Sequence, residues 1–215
     1  MKLYSYWRSS ASYRVRIALA FKNLPYAYEA VHLVADGGQQ FRNEYKARNP
    51  MAQVPTLEIL DGSGVKHISQ SLAIMEYLEE EHPTPSLFPK DAYLRARTRQ
   101  LSEIINAGIQ PFQNLVVLAH VRETLKGDDK AWIQKWLGQG MAALDAAATS
   151  TAGRFLVGDS PPMADMCLVP QMYAARRMGV PLDKMPLLVR VDAACNELPA
   201  FQAAHPDRQP DAVVA

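Results

Sequence analysis

This chain has few cysteines and no excess of charge of one sign. Its 215 residues include only two cysteines, Cys167 and Cys195. Two are too few for the disulfide framework of a small secreted protein, so we expect reduced thiols and a cytoplasmic location. The 23 Lys and Arg residues balance 22 Asp and Glu residues, which leaves a formal net charge of +1. Without a strong field, we expect no binding to nucleic acid or to an anionic membrane.

Long apolar runs and the common motifs of metal and nucleotide sites are missing as well. No stretch reaches the roughly 18 apolar residues that would span a bilayer. The five histidines are scattered, with no Cys or Asp at ligand spacing, so no metal site is predicted. No phosphate loop, dinucleotide fingerprint or G-x-S-x-G elbow is present, which leaves nucleotide-dependent and serine-hydrolase chemistry unsupported.

The first 82 residues do carry a clear pattern, in which the hydrophobic period changes repeatedly. Strands are predicted where the residues alternate, over 2–6, 26–33, 54–60 and 65–68. Helices are predicted from Ser9 and Ser10 up to Pro25, over 39–47, and from Ser71 to Glu81. The resulting order, βαβ-α-ββα, predicts an α/β domain.

A proline-rich stretch then separates this pattern from a second part that has no convincing strands. Prolines and hydroxyl residues across 83–89 cannot continue a helix and favour an extended linker. Beyond it, helices are predicted over 91–125, 130–148, 163–178 and 186–197. The sequence therefore predicts an α/β domain of residues 1–82, a linker of residues 83–89 and an all-α domain of residues 90–215, with a frayed end at 209–215.

Two predicted helix starts carry polar side chains that have two interpretations. Ser9 and Ser10 precede the first long helix, and Gln70 and Ser71 precede another. A hydroxyl at such a position usually caps the helix. It can also bind an anion, with the help of free backbone N–H groups and the positive end of the helix dipole. Spacing alone leaves both roles open at both places.

Two further segments are candidates for ligand binding. A cis bond between Val54 and Pro55 would leave backbone groups free to pair with a peptide ligand, although a trans bond is commoner on base rates. Arg176 and Arg177 stand near a predicted helix end, where cations usually complement the dipole. Binding of an anionic substrate is the alternative for this pair.

Taken in order, these segments resemble a known family. Residues 9–19, SSASYRVRIAL, closely resemble the S-S-C-x-x-R-x-R-I-A-L signature of zeta-class glutathione transferases, the maleylacetoacetate isomerases. Further segments similar to this family follow in family order: Asp36–Phe41, Asn49–Met51, Gln53–Leu57, Gln70–Ile74, Gly108–Pro111, Met163–Asp165 and Arg208–Asp211. The resemblance covers nearly the whole chain and is specific to the class.

The resemblance implies a thioredoxin-like N-terminal domain, an all-helical C-terminal domain, a homodimer and glutathione as the cofactor. It places Ser9 or Ser10 beside the glutathione sulfur and pairs the backbone of Val54, which precedes a family cis-proline at Pro55, with the ligand peptide. Other glutathione contacts are implied for Ala11, Gln40, Gln70, Ser71, Gln110 and Asn114. The cations implied near the substrate carboxylates are Arg8, Arg14 and Arg177.

Two positions depart from the family pattern. Ala11 stands where the family has cysteine, so this residue is no nucleophile and the thiol must come from glutathione. Pro162 stands where the family has a helix-capping Ser or Thr, three residues before Asp165. Because proline geometry suits a helix start, we expect the helix to persist, with Asp165 still accepting from backbone N–H groups.

The activity implied by the resemblance is glutathione-dependent isomerisation of maleylacetoacetate, a small cis-diketo acid, to fumarylacetoacetate. Three alternatives stay open: a maleylpyruvate isomerase, a transferase that conjugates glutathione to α-haloacids or other electrophiles, and a glutathione-binding protein without activity. Some maleylpyruvate isomerases carry an extra arginine just after the position of Asn114. Leu115 and Val116 stand there in this chain, which favours maleylacetoacetate.

Overall fold

The computed structural model describes residues 1–213. Its residues form two compact units, which we call the first and the second unit. The first unit contains Met1–Ser86 together with the chain from Leu198 onward, and the second contains Leu87–Glu197. This division differs from the predicted helical domain of residues 90–215, because the C-terminal segment packs with the first unit.

The first unit is built on a four-stranded sheet with the strand order β2-β1-β3-β4. Its strands are β1 (Lys2–Ser5), β2 (Ala27–Ala30), β3 (Thr56–Asp61) and β4 (Gly64–Ser69). Its helices are α1 (Ser10–Phe21), α2 (Asn43–Lys46) and α3 (Ser71–Glu81), with 3-10 turns at Ala35–Gly37 and Gln39–Phe41. β1 and β2 are parallel, because α1 carries the chain back between them, whereas β3 is antiparallel to both β1 and β4.

Both faces of this sheet are covered, which follows from the alternation of side chains along each strand. Leu3 on β1 points to one face and is fully buried, as are Ile17 of α1 and Leu78 of α3. The neighbouring Tyr4 points to the other face and joins a cluster that includes Tyr45 of α2. The predicted strands of this unit are present, although β2 is shorter than the predicted 26–33. The predicted helices are also present, except that the one predicted over 39–47 is divided at the extended Arg42 into a 3-10 turn and α2.

The C-terminal segment is attached to the first unit through a buried arginine of α1. This segment holds a short helix, α9 (Pro199–Ala203), that the sequence pattern did not predict. The Arg16 side chain is completely buried, and its Nε donates to the carbonyl oxygen of Ala204 at 3.2 Å. The same guanidinium donates to the carbonyl oxygens of Tyr6 and Trp7, at 3.3 and 2.9 Å. One side chain thus ties the segment to the end of β1.

The expected fraying of residues 209–215 is not seen in the part of the tail that the structure describes. An Asp211 carboxylate oxygen accepts from the backbone N–H of Trp7 at 3.1 Å, and the other accepts from the Tyr28 hydroxyl at 2.6 Å. These contacts join residues about 200 apart in sequence, which a local pattern does not reveal. Val214 and Ala215 lie outside the described residues.

The second unit is helical, with α4 (Ala92–Gly108), α5 (Leu115–Ala119), α6 (Asp129–Ala148), α7 (Met163–Arg177) and α8 (Pro186–Asn196). The single helix predicted over 91–125 is interrupted. Pro111 lacks a backbone N–H and lies in a 3-10 turn, Gln110–Gln113, between α4 and α5. A π-helical stretch, His120–Thr124, follows α5. No helix within residues 1–213 combines the length and apolar character needed to cross a membrane.

Asp165, in the first turn of α7, connects this helix with the segment before it, and Pro162 at the N-cap forms no side-chain cap. Its carboxyl is completely buried, and Oδ1 accepts from the backbone N–H of Leu156 at 3.1 Å. Burial raises the pKa of the Asp165 carboxyl well above its usual range. The prediction that Asp165 accepts from a backbone N–H is confirmed, with a donor from the segment before the helix.

We expect Asp165→Ala to lower the free energy of unfolding by about 2 kcal/mol, because the buried N–H of Leu156 loses its acceptor. Asp165→Asn is the matched control, since it keeps an acceptor oxygen. The raised pKa means that ionisation of Asp165 opposes folding, so the wild type should lose stability relative to Asp165→Asn as pH rises from about 4 to about 7. Urea unfolding at both pH values measures this, and equal losses for the two variants would contradict the assigned hydrogen bond.

Candidate functional site

Ser9, Ser10 and Ala11 lie together where β1 gives way to α1. Ser9 is the N-cap of α1, and its Oγ accepts from the backbone N–H of Ser12 at 3.2 Å. Because the cap uses the oxygen only as an acceptor, the hydroxyl proton of Ser9 stays available to donate. The Ser10 hydroxyl has no hydrogen-bond partner among residues 1–213. Both hydroxyls stand at the positive end of the α1 dipole, which is a suitable place for an anion.

The bond between Val54 and Pro55 is cis, as the resemblance implies. The carbonyl oxygen of Gln53, just before it, accepts from the Tyr45 hydroxyl at 2.6 Å and from Asn49 Nδ2 at 2.7 Å. Burial raises the pKa of Tyr45 to about 12, so its hydroxyl remains a neutral donor. Among the described residues, no backbone hydrogen bond uses the N–H or C=O of Val54. Those two groups are available to an extended ligand.

Gln70 and Ser71 mark the start of α3, and Ser71 contacts a buried cation. Gln70 has φ 72°, in the left-handed region that few residues other than glycine adopt. The Oγ of Ser71 accepts from Arg14 Nη1 at 3.1 Å, and the Arg14 side chain has no exposed surface. Arg14 therefore fixes the position of the Ser71 hydroxyl through this hydrogen bond. It does not present its charge at the surface, as contact with a substrate carboxylate would require.

Gln40 is held in a narrow space after β2 and retains an unused acceptor. Its side chain is nine-tenths buried, with 7% exposed, and its Nε2 donates to the carbonyl oxygen of Leu33 at 3.2 Å. Its Oε1 is buried without a hydrogen-bond partner. A Cβ on Gly38, which has φ 95°, would come within 2.7 Å of Gln40 Nε2, so only glycine leaves room for this amide. An unpaired buried acceptor is uncommon in a folded protein, and a donor of a bound ligand is one way to satisfy it.

Gln110 and Asn114, the expected glutathione contacts of the second unit, stand at the two ends of one 3-10 turn. Asn114 caps α5, because its Oδ1 accepts from the backbone N–H of Val116 at 3.1 Å. The turn is held by aromatic contacts that the sequence analysis missed. Trp132 Nε1 donates to the carbonyl oxygen of Phe112 at 3.0 Å. The Phe112 ring stacks on the Trp136 ring, with 4.7 Å between the ring centroids. The i, i+4 spacing of two tryptophans on α6 is the signal that points to this support.

The remaining candidate cations differ in their surroundings. Arg8 is partly exposed, and its guanidinium lies 5.3 Å from the centre of the Trp7 ring, as in a cation–π contact. Arg177 is exposed in the last turn of α7. Its neighbour Arg176 forms an ion pair with the buried Asp192, with a distance of 2.6 Å between Nη2 and Oδ2. Arg177, the arginine that the resemblance implies, stays the candidate for a substrate carboxylate.

A separate polar cleft of about 350 Å³ lies on the α2 side of the sheet. Its lining mixes cations, carboxylates and phenols, including Lys2, Arg48, Glu29 and Tyr4. None of the predicted glutathione contacts lines it, so its volume is no guide to the candidate site. Among the described residues, no group of three or more His, Cys, Asp or Glu side chains could hold a metal ion.

Comparison with known proteins gives consistent results over nearly the full chain. A family profile described as "Glutathione S-transferase, N-terminal domain" matches residues 8–81. The chain is 49% identical over 209 residues to probable maleylacetoacetate isomerase 2 of Drosophila melanogaster, which covers 97% of this chain and 89% of that protein. It is 44% identical over 216 residues to a maleylpyruvate isomerase of a Ralstonia species, with 98% and 99% covered.

A solved structure agrees with these sequence relationships. The maleylacetoacetate isomerase from Anaeromyxobacter dehalogenans 2CP-1, crystallised with GSH bound in its active site, is similar with a TM-score of 0.91 and 52% identity. That similarity covers 99% of this chain and 97% of the other.

Proposed function

Because the chain belongs to the zeta-class family of glutathione transferases, which includes the maleylacetoacetate isomerases, we propose that it isomerises maleylacetoacetate to fumarylacetoacetate with glutathione as its cofactor. The family assignment agrees with the expected thioredoxin-like N-terminal part and helical remainder. The observation that carries the proposal is the pair of hydroxyls at the start of α1, in a chain 52% identical to an isomerase that holds GSH in its active site.

The chemical problem is a cis double bond flanked by carbonyl groups. Rotation about it is slow because π overlap has to be broken. When a thiolate adds to the activated carbon, a C–S bond forms and the π electron pair moves to the carbonyl oxygen as an enolate. The remaining C–C single bond rotates, the enolate re-forms the double bond as trans, and the thiolate leaves. Glutathione is regenerated, so this is covalent catalysis with a borrowed nucleophile.

The protein has to keep the glutathione sulfur ionised near neutral pH. A free thiol, with a pKa of about 8.5, is only a few per cent ionised there. The chain's own thiols do not serve instead, since Cys167 and Cys195 are both buried and burial raises the pKa of Cys195. Hydroxyl donors at Ser9 and Ser10, with the N-terminus of α1, favour the thiolate over the thiol.

The other polar groups bind the rest of the tripeptide in this proposal. The free N–H and C=O of Val54, beside Pro55, pair with the glutathione backbone. Gln70 and Ser71 bind the γ-glutamyl carboxylate, with Arg14 as the buried support of Ser71. The remaining contacts come from Ala11, Gln40, Gln110 and Asn114.

Arg8 and Arg177 are proposed to bind the carboxylates of the substrate. Both are at least partly exposed, and a guanidinium forms two parallel hydrogen bonds with a carboxylate. A cation near the reacting carbonyl also stabilises the enolate that forms on addition.

Ala11→Cys tests whether glutathione alone supplies the nucleophile. We expect kcat/KM to change by less than about threefold, since an effect below about 1 kcal/mol is typical of a side chain outside the reacting set. The measurement is the isomerase rate with saturating glutathione, with Ala11→Ser as the control for added size and polarity. A gain of orders of magnitude in the cysteine variant alone would show that the nucleophile is misassigned.

Maleylpyruvate is the second candidate substrate, because a maleylpyruvate isomerase is 44% identical over almost the whole chain. An absorbance assay with maleylacetoacetate and maleylpyruvate side by side, each with and without glutathione, distinguishes the two. An α-haloacid in the same series tests conjugation, since the same thiolate can displace a halide. Tight glutathione binding without turnover of any of the three would identify a binding protein.

A homodimer and a cytoplasmic location belong to the same proposal. Exposed apolar side chains in the first unit, namely Met51, Leu60 and Val65, support an association between copies of the chain. Two cysteines without a disulfide are compatible with a reducing compartment. Sedimentation equilibrium of the purified protein tests the dimer.

A further inference from the structure

The segment from His32 to Phe41 forms a loop in which several hydrogen bonds are made to His32. The backbone N–H of His32 donates to Gln39 Oε1 at 2.8 Å, and the backbone N–H of Gln39 donates to the His32 carbonyl at 2.8 Å. In addition, the backbone N–H groups of Val34 and Ala35 donate to His32 Nδ1 at 3.2 and 2.8 Å. Because Nδ1 accepts both, the neutral ring carries its proton on Nε2.

The same histidine also contacts the segment that leads to Ser9. Its ring packs edge-on against the Tyr6 ring, with a centroid distance of 5.0 Å. The carbonyl oxygen of Tyr6 in turn accepts from the backbone N–H of Ser9 at 3.0 Å. His32 thus connects the closed segment with the start of α1.

The feature that this segment holds in place is the Gln40 amide, with its unpaired Oε1. The donor Nε2 of Gln40 contacts the carbonyl oxygen of Leu33, and Gly38 leaves the space for the amide. The intervening residues from Val34 to Gly37 are exposed, so little apolar packing fixes this part of the segment. Its conformation therefore depends on the hydrogen bonds at His32.

We propose that His32 is a positioning residue for glutathione: its Nδ1 fixes the segment so that Gln40 presents its free acceptor to the ligand. This role rests on the glutathione-dependent activity proposed above. It predicts an effect on glutathione affinity and little effect on the chemical step, because His32 acts through Gln40 and does not contact the sulfur.

Two variants separate the hydrogen bonds of the ring from its bulk. His32→Leu removes the acceptor, whereas His32→Asn places Oδ1 near the position of Nδ1 and can accept the same backbone N–H groups. We expect His32→Leu to raise the KM for glutathione about tenfold, with kcat at saturating glutathione within about twofold of the wild type. His32→Asn should restore KM to within about threefold. Asp36→Asn is the control in the same segment, because Asp36 forms an exposed ion pair with Arg42, and it should leave KM unchanged.

An unchanged KM in His32→Leu would overturn the proposal, and so would a failure of His32→Asn to restore KM when circular dichroism shows both variants folded. If His32→Leu does not fold, two-bond ¹H–¹⁵N spectra of the imidazoles in the wild type decide the matter. An unprotonated Nδ1 at His32 is expected, and a protonated Nδ1 would refute the assigned role. Failure of the proposed function is distinct, because the wild type itself would then show no glutathione-dependent turnover.

Discussion

Loss of the hydroxyl that faces the glutathione sulfur, in Ser9→Ala or in Ser10→Ala, should raise the pKa of the bound thiol by about one to two units. The hydroxyl donates a hydrogen bond to the thiolate and not to the thiol, so its removal favours the protonated form. Near neutral pH the thiolate fraction, and with it kcat, should fall by about five- to fiftyfold. Ultraviolet titration of the thiolate in the binary complex with glutathione measures the shift directly.

The two serines need different controls, because only Ser9 caps α1. Ser9→Ala also removes the acceptor for the N–H of Ser12, at a cost of about 1 kcal/mol in stability. Ser9→Gly has no side-chain donor and costs a helix N-cap only a few tenths of a kcal/mol, so it separates thiol activation from helix stability. Ser10→Ala removes a hydroxyl that takes no part in the cap. If the pKa of the bound glutathione thiol were unchanged in both single variants and in the double alanine variant, the proposed activation would be refuted.

Arg177→Ala should raise the KM for the diketo-acid substrate at least tenfold, with a smaller loss in kcat. A charge-assisted hydrogen bond to a carboxylate contributes about 1.5–3 kcal/mol, and this contact forms before the chemical step. Steady-state kinetics at saturating glutathione give the two parameters separately. Arg177→Lys, which keeps the charge but not the planar pair of donors, should be intermediate.

Arg176→Ala is the matched control for Arg177→Ala, since the two residues are adjacent. Arg176 pairs with the buried carboxylate of Asp192, so its loss should lower the melting temperature and leave KM unchanged. An unchanged KM in Arg177→Ala, or an equal rise in both variants, would refute the role of Arg177 in binding the substrate.

The fold of the first unit could be predicted from local patterns, because its strands and helices change period at recognisable turns. α1 follows a double serine, and the β3–β4 hairpin surrounds Asp61 and Gly64, as expected. The break between α4 and α5 was missed, although Pro111 marks it, because the apolar period continues on both sides. A periodic pattern of apolar residues does not reveal a break in a helix when the apolar residues keep their spacing across it.

The resemblance to a family identified the residues of the candidate site. It did not reveal the contacts that hold those residues in position. The burial of Arg14 beneath Ser71 depends on contacts 57 residues apart in sequence. The closure of the segment at His32 depends on a ring nitrogen that accepts backbone N–H groups. Histidine occurs in so many settings that its residue type alone predicts no such role.

The central claim is that the nucleophile is the glutathione sulfur and not a group of the protein. The most direct test is the isomerisation rate of purified protein with glutathione, with S-methylglutathione and with neither. S-methylglutathione keeps the peptide contacts but cannot form a thiolate. We predict turnover with glutathione alone; turnover without it, or with S-methylglutathione in its place, would contradict the mechanism.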